Sequence, residues 1–185
     1  MSHTLEILTL AALVTVTVTA CDAPDRDVDD AAPRTKTLYT DAASLEALAE
    51  SDSEIHDVMA AQLELSSDEL LDMALDPAAS PDLELTAPPA PTKSGSCVGL
   101  HDVLDFCYQK GATGVTVWVE VLGVDSPHRY LGLSGACIDG GLDVELASVD
   151  YAICTTPIPV PQVIIVAEAC LAGFCDDVAY VKLFN

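Results

Sequence analysis

Six cysteines, Cys97, Cys107, Cys137, Cys154, Cys170 and Cys175, fall within the last 90 residues of a 185-residue chain, and the seventh, Cys21, stands apart near its start. An even set confined to one segment constrains the fold of that segment more than any hydropathy pattern does. Three bridges, each contributing about 2–4 kcal/mol, suit a small domain in an oxidising compartment. Six cysteines admit fifteen connectivities, and spacing alone does not choose among them. The paired Cys-x-x-Cys spacing of zinc and redox sites is absent, and no histidine neighbours the C-terminal cysteines. A disulfide framework is therefore expected, with no metal site and no cofactor.

The same segment carries strand periodicity. Val115, Val117, Val119 and Val121 alternate with Thr116, Trp118, Glu120 and Leu122, the two-residue period of a strand with one buried face. Leu142, Val144 and Leu146 repeat the pattern, residues 163–169 are apolar on both faces as in a central strand, and residues 178–184 and 129–133 supply two more strands. Asp125-Ser126-Pro127 and Asp139-Gly140-Gly141 read as turns, and Pro157, Pro159 and Pro161 exclude a regular central strand there. The fold expected for residues 96–185 is mainly β, a small disulfide-stabilised antiparallel sandwich. Residues 98–110 fit a helix, slightly favoured, or a strand; a helix would make the C-terminal domain α+β. Trp118, the sole tryptophan, projects away from the valines, either as a possible ligand anchor or into another layer of core.

Upstream, residues 40–76 are rich in Ala, Leu, Met and Glu. Ser51-Asp52-Ser53-Glu54 and Ser66-Ser67-Asp68-Glu69 both have capping-box spacing ahead of amphipathic runs. Short helices are expected, as a docking segment, a propeptide or a loosely packed appendage, because helices of this length are marginal alone. Pro77, Pro81, Pro88, Pro89 and Pro91 make residues 77–95 a Pro-rich linker. Residues 21–39 begin with Asp22, Asp25, Asp27, Asp29 and Asp30 and read as an acidic, disordered tether.

Residues 7–20 are apolar or threonine all the way round and end at Val18-Thr19-Ala20-Cys21. The run is short for a bilayer span and has the length of a signal-peptide core. No Lys or Arg precedes it, a departure from the usual export signal. Those four residues resemble the lipobox of bacterial lipoproteins: an aliphatic residue, a small or hydroxylated one, a small one, then the cysteine that receives lipid. The resemblance implies a signal peptide over residues 1–20, lipid on Cys21 and attachment to a membrane of the bacterial envelope. An ordinary cleaved signal, with secretion, is the alternative.

Thirty acidic residues against seven basic ones make a poor partner for phosphate backbones, so nucleic acid is not expected. A search for catalytic groups yields only weak candidates. His101-Asp102 are sequence neighbours that point apart, Gly132-Leu133-Ser134-Gly135 lacks nucleophile-elbow spacing, and neither His56, on the polar side of its expected helix, nor His128, beside Pro127 in a turn, has a motif partner. The reading favoured is a domain that binds an envelope protein or glycan noncovalently. A structural surface protein without a ligand, or a precursor releasing a small hydrolase or protease-inhibitor domain, are the alternatives.

Overall fold

A computed structural model describes residues 34–76, 83–93 and 96–184. The expected signal peptide, Cys21 and the aspartate run that follows lie outside them. The elements in chain order are β1 (Lys36–Tyr39), helices α1 (Ala42–Ala49), α2 (Ser53–Gln62) and α3 (Ser67–Leu75), then β2 (Leu83–Thr86), β3 (Pro91–Lys93), β4 (Cys97–His101), β5 (Leu104–Lys110), β6 (Gly114–Val121), β7 (Val124–Asp125), β8 (Arg129–Gly132), β9 (Ala136–Val144), β10 (Ala147–Thr156), β11 (Gln162–Leu171) and β12 (Phe174–Leu183).

The fold is mainly β. One sheet has the order β2-β1-β12-β11-β10-β9; the other runs β3-β4-β5-β6-β7, with β8 also paired to β6. Their facing sides form one core of Val98, Leu100, Phe106, Val117, Val119, Ile153, Ile165 and Tyr180. The three helices lie on the other face of the first sheet. They bury Leu48, Ile55, Met59, Leu63, Leu70 and Met73 against Leu38, Ile164, Val166 and Val181. Each such side chain contributes about 1.5–3 kcal/mol of transfer free energy, which offsets the ordering entropy that helices of eight to ten residues cannot meet alone. We call the two layers the helix-covered sheet and the open sheet.

Residues 34–76 and 83–93 therefore differ from a tether, a loosely packed appendage and a linker. Lys36–Tyr39, inside the range expected to be tether, is a strand hydrogen-bonded in parallel to β12 on one side and β2 on the other. Parallel neighbours need a long crossover, and the three helices supply it. The far end of the tether and part of the Pro-rich linker are thus sheet, because Leu38 and Leu83 find buried positions that their own segments could not create.

Local chemistry sets the helix starts. Ser66 and Glu69 form the reciprocal capping box at α3. At α2 the cap is Asp52, whose carboxylate accepts from Glu54 N, and Ser51 instead donates to the Leu48 carbonyl. Three further expectations are corrected. Residues 98–110 contain two strands, β4 and β5, because pairing of β4 with β5 and of β5 with β6 places Val98, Leu104 and Phe106 in the inter-sheet core. Asp139-Gly140-Gly141 is not a turn but the middle of β9. A Cβ at Gly140 would stand 2.7 Å from the Tyr151 hydroxyl, so glycine there admits the facing ring. The Leu142-Val144-Leu146 strand ends at Val144, with Glu145 at φ 45° opening the turn into β10.

The disulfides are Cys97–Cys107, Cys137–Cys154 and Cys170–Cys175. Each joins residues directly opposite across an antiparallel pair, on β4/β5, β9/β10 and β11/β12. They pin register, which a one-residue slip would invert, and none of the three ties one sheet to the other.

Candidate functional site

The outer face of the open sheet follows directly from the alternation in β6. Val115, Val117, Val119 and Val121 are fully buried toward the inter-sheet core, so Thr116, Trp118 and Glu120 point outward. Trp118 is half-buried there. Its ring stacks on His128, with centroids 4.2 Å apart and planes 11° from parallel. Ser126 holds the chain that brings His128 into place: its amide donates to the Val119 carbonyl at 2.8 Å, and its Oγ accepts from Val119 N at 3.0 Å. His128 Nε2 also lies 3.8 Å from the Asp125 carboxylate.

Tyr130 on β8 extends the aromatic surface. It is 59% exposed, and its hydroxyl lies 2.7 Å from Thr113 Oγ1. A Cβ on Gly114 would come within 2.5 Å of its ring, so that glycine lets the ring lie flat over the strand. On the other side of Trp118, in register with it, sits the buried Cys107 of the first disulfide. The resulting face has an aromatic centre, with Asp105 and Glu120 paired in register toward one end. Exposed Trp and Tyr rings combine apolar area with a polar edge, the combination that anchors protein partners and sugar rings.

The histidines take other roles than their sequence neighbours suggested. His101 pairs with Asp176 of β12 at 3.2 Å, not with Asp102, and so links the two sheets at one end. His56, expected on a polar helix face, is 8% exposed, its Nε2 2.7 Å from the Leu48 carbonyl and 3.1 Å from Ser51 Oγ. Ser134 lines a cleft of about 390 Å³ with Glu50, Asp52, Glu54 and Thr156. Glu168, Cys170 and Cys175 lie within 4.8 Å of one another, a grouping that could hold a metal in a reduced protein. As a disulfide, however, the two sulfurs offer no thiolate.

A buried acid lies on the face of β12 that also carries Ala179 and Val181. Asp177 on β12 is 1% exposed, and neither carboxylate oxygen has a hydrogen-bond partner among the described residues. Burial, then the neighbouring Glu168 carboxylate directly opposite on β11, push its pKa up to about 6, against the opposing pull of Arg34. Arg34 itself is ion-paired with Glu168.

Sequence reasoning reached Trp118 through the period of β6. It missed His128 and Tyr130 as its companions, and Asp177 altogether, since nothing local marks which strand neighbours will meet. No protein-family model, curated protein or solved structure matches the chain.

Proposed function

We propose that this protein is a bacterial envelope lipoprotein, anchored through lipid on Cys21, whose β domain binds a protein or glycan noncovalently through the outer face of the open sheet. The observation that supports the reading most is the Trp118–His128 stack with Tyr130 on the same face, where no described helix covers the sheet. A ring pair held by backbone hydrogen bonds around Ser126 is pre-organised, so little conformational entropy is lost when a ligand stacks on it. Three disulfides accord with an oxidising, extracytoplasmic location.

Trp118 is the only tryptophan, so its emission reports on this face directly. Titration of the oxidised protein with envelope polysaccharide fragments, and separately with solubilised envelope proteins, is expected to shift that emission saturably. The Tyr130→Ala and His128→Ala variants are expected to weaken the response while keeping the wild-type urea midpoint. Absence of any response would favour a surface protein without a ligand. The address is tested by fractionation: Cys21→Ser is expected to move the protein from the detergent-soluble membrane extract to the aqueous phase, and unchanged partitioning would refute the anchor.

A further inference from the structure

The turns at one end of the sandwich are apolar where hairpin tips are ordinarily polar. Phe174 is 79% exposed, Leu146 71%, Leu122 53%, Val124 43% and Leu171 36%. They sit on three hairpins at the same end of the sandwich. The Ala172 amide, in the β11–β12 turn, donates to the Leu146 carbonyl in the β9–β10 turn at 2.8 Å. Across the sandwich, the Leu122 amide in the β6–β7 turn donates to the Val103 carbonyl in the β4–β5 turn at 3.2 Å. The His101–Asp176 pair joins the two groups, since His101 ends β4 and Asp176 follows Phe174 at the start of β12.

Neither solvation nor backbone preference explains these residues. Leu122 and Ala172 occupy the left-handed region, at φ 49° and 51°, the positions that Asn, Asp or Gly fill in two-residue hairpin turns. The apolar tips therefore act against the local chemistry of the turns that carry them.

The chain enters the fold at this same end. β1 starts with Lys36 opposite Asp177 and runs parallel to β12, the Asp177 amide donates to the Thr35 carbonyl, and Arg34 pairs with Glu168. Twelve residues separate Arg34 from Cys21. Fully extended, they span at most about 45 Å. The opposite end of a ten-residue strand lies about 33 Å farther along. The tether that leads from Cys21 therefore joins the domain at the end that carries the apolar tips.

We propose that this end docks on the bilayer, with Phe174, Leu146 and Leu122 entering the interfacial region of a zwitterionic phospholipid surface. The proposal rests on the reading of Cys21 as the lipid site. Asp102, Asp125, Glu145 and Asp176 lie on the same turns and strand ends, so apolar partitioning drives the contact and anionic lipid opposes it. Docking would leave the Trp118 face, on the side of the sandwich, open to ligand.

The test imposes the anchor. The chain from Asp22 onward, with a hexahistidine tag in place of the lipid, is captured on phosphatidylcholine vesicles containing a nickel-chelating lipid. The reporter is an indole introduced by Phe174→Trp in a Trp118→Phe background. Brominated acyl chains are expected to quench it at least about twofold, and Leu122→Ser with Leu146→Ser to abolish the quenching without changing capture or the urea midpoint. The native Trp118 in the otherwise unaltered chain is expected to stay unquenched. Complete capture with no quenching of the introduced indole would overturn the proposal. So would a blue-shifted emission without vesicles, accompanied by a dimer mass in light scattering, which would give the tips to a second copy of the chain. Because the tag supplies the anchor, failure here is separate from failure of the Cys21 reading, which fractionation of Cys21→Ser decides.

Discussion

Replacing Asp177 with Asn should change how stability depends on pH. In the folded chain the carboxyl is buried without a hydrogen-bond partner among the described residues, and its pKa rises from 3.8 to about 6 through burial first and the Glu168 charge second. A raised acid pKa means that the native state binds more protons than the unfolded chain between those two values. Its contribution to stability is therefore fully present below about pH 4 and is lost as pH rises through about 6. At about 1.4 kcal/mol for each pH unit separating the two values, the loss by pH 8 is on the order of 3 kcal/mol. The assay is urea unfolding of the oxidised protein, followed by Trp118 emission from pH 4.5 to 8, for wild type and Asp177→Asn. The wild type should lose stability relative to the variant as pH rises, most steeply at about pH 4.5–5.5, midway between the two values. An unsatisfied Asn amide adds a cost that does not depend on pH, which moves the whole difference curve without altering its slope. A difference that stays constant across this range would refute the assignment of a buried, proton-binding Asp177.

Two other outcomes follow from the same architecture. Removing disulfides as Cys→Ala pairs should cost about 2 kcal/mol for Cys170–Cys175, rising to about 3 for Cys137–Cys154, with Cys97–Cys107 between them; the order follows sequence separations of 5, 10 and 17, and denaturant midpoints that ignore it would contradict an unfolded-state origin. A proteolytic nick within residues 77–82 should leave both fragments together in native gel filtration, because β1 is hydrogen-bonded to β12 and α1–α3 bury Leu48, Met59 and Leu70 on the sheet; separation without denaturant would show that the helix layer is not part of the core.

How much was legible in the sequence depends on how local the controlling interaction is. The alternation of β6 put Val115, Val117, Val119 and Val121 on one face and Trp118 on the other, because successive side chains of a strand point to opposite faces whatever it pairs with; that the Trp118 face is the outer one came from the sheet packing. The α3 capping box was legible for the same reason: donor and acceptor lie three residues apart. Residues 163–169 were readable as a central strand from apolar residues on both faces, and β11 is covered on one side by helices and on the other by the open sheet. Residues 98–110 fitted a helix slightly better than a strand, and the strands won because β4 pairs with β5 and β5 with β6. His56 was assigned by helical spacing to a polar face, but Ser51 and the Leu48 carbonyl give its ring the hydrogen bonds that burial requires.

The candidate face divides in the same way. Trp118 could be proposed from its own strand, whereas His128 and Tyr130 reach it only through the β6–β8 pairing and the Ser126 hydrogen bonds. Asp177 looked like one more acid in an acidic chain until β1 and β11 flanked it in the sheet and left it buried.

By itself the sequence determined the mainly β class, the confinement of six cysteines to one domain, the placing of Trp118 on the face opposite the β6 valines and one helix cap, all consequences of covalent order and of interactions within a few residues. Tertiary structure alone decided which cysteines pair, that β1 and the helices complete the core, that Asp177 is buried, and that the apolar tips gather where the chain enters. Those outcomes depend on strands far apart in sequence becoming neighbours, and a local pattern carries no information about which distant segment will supply its partner.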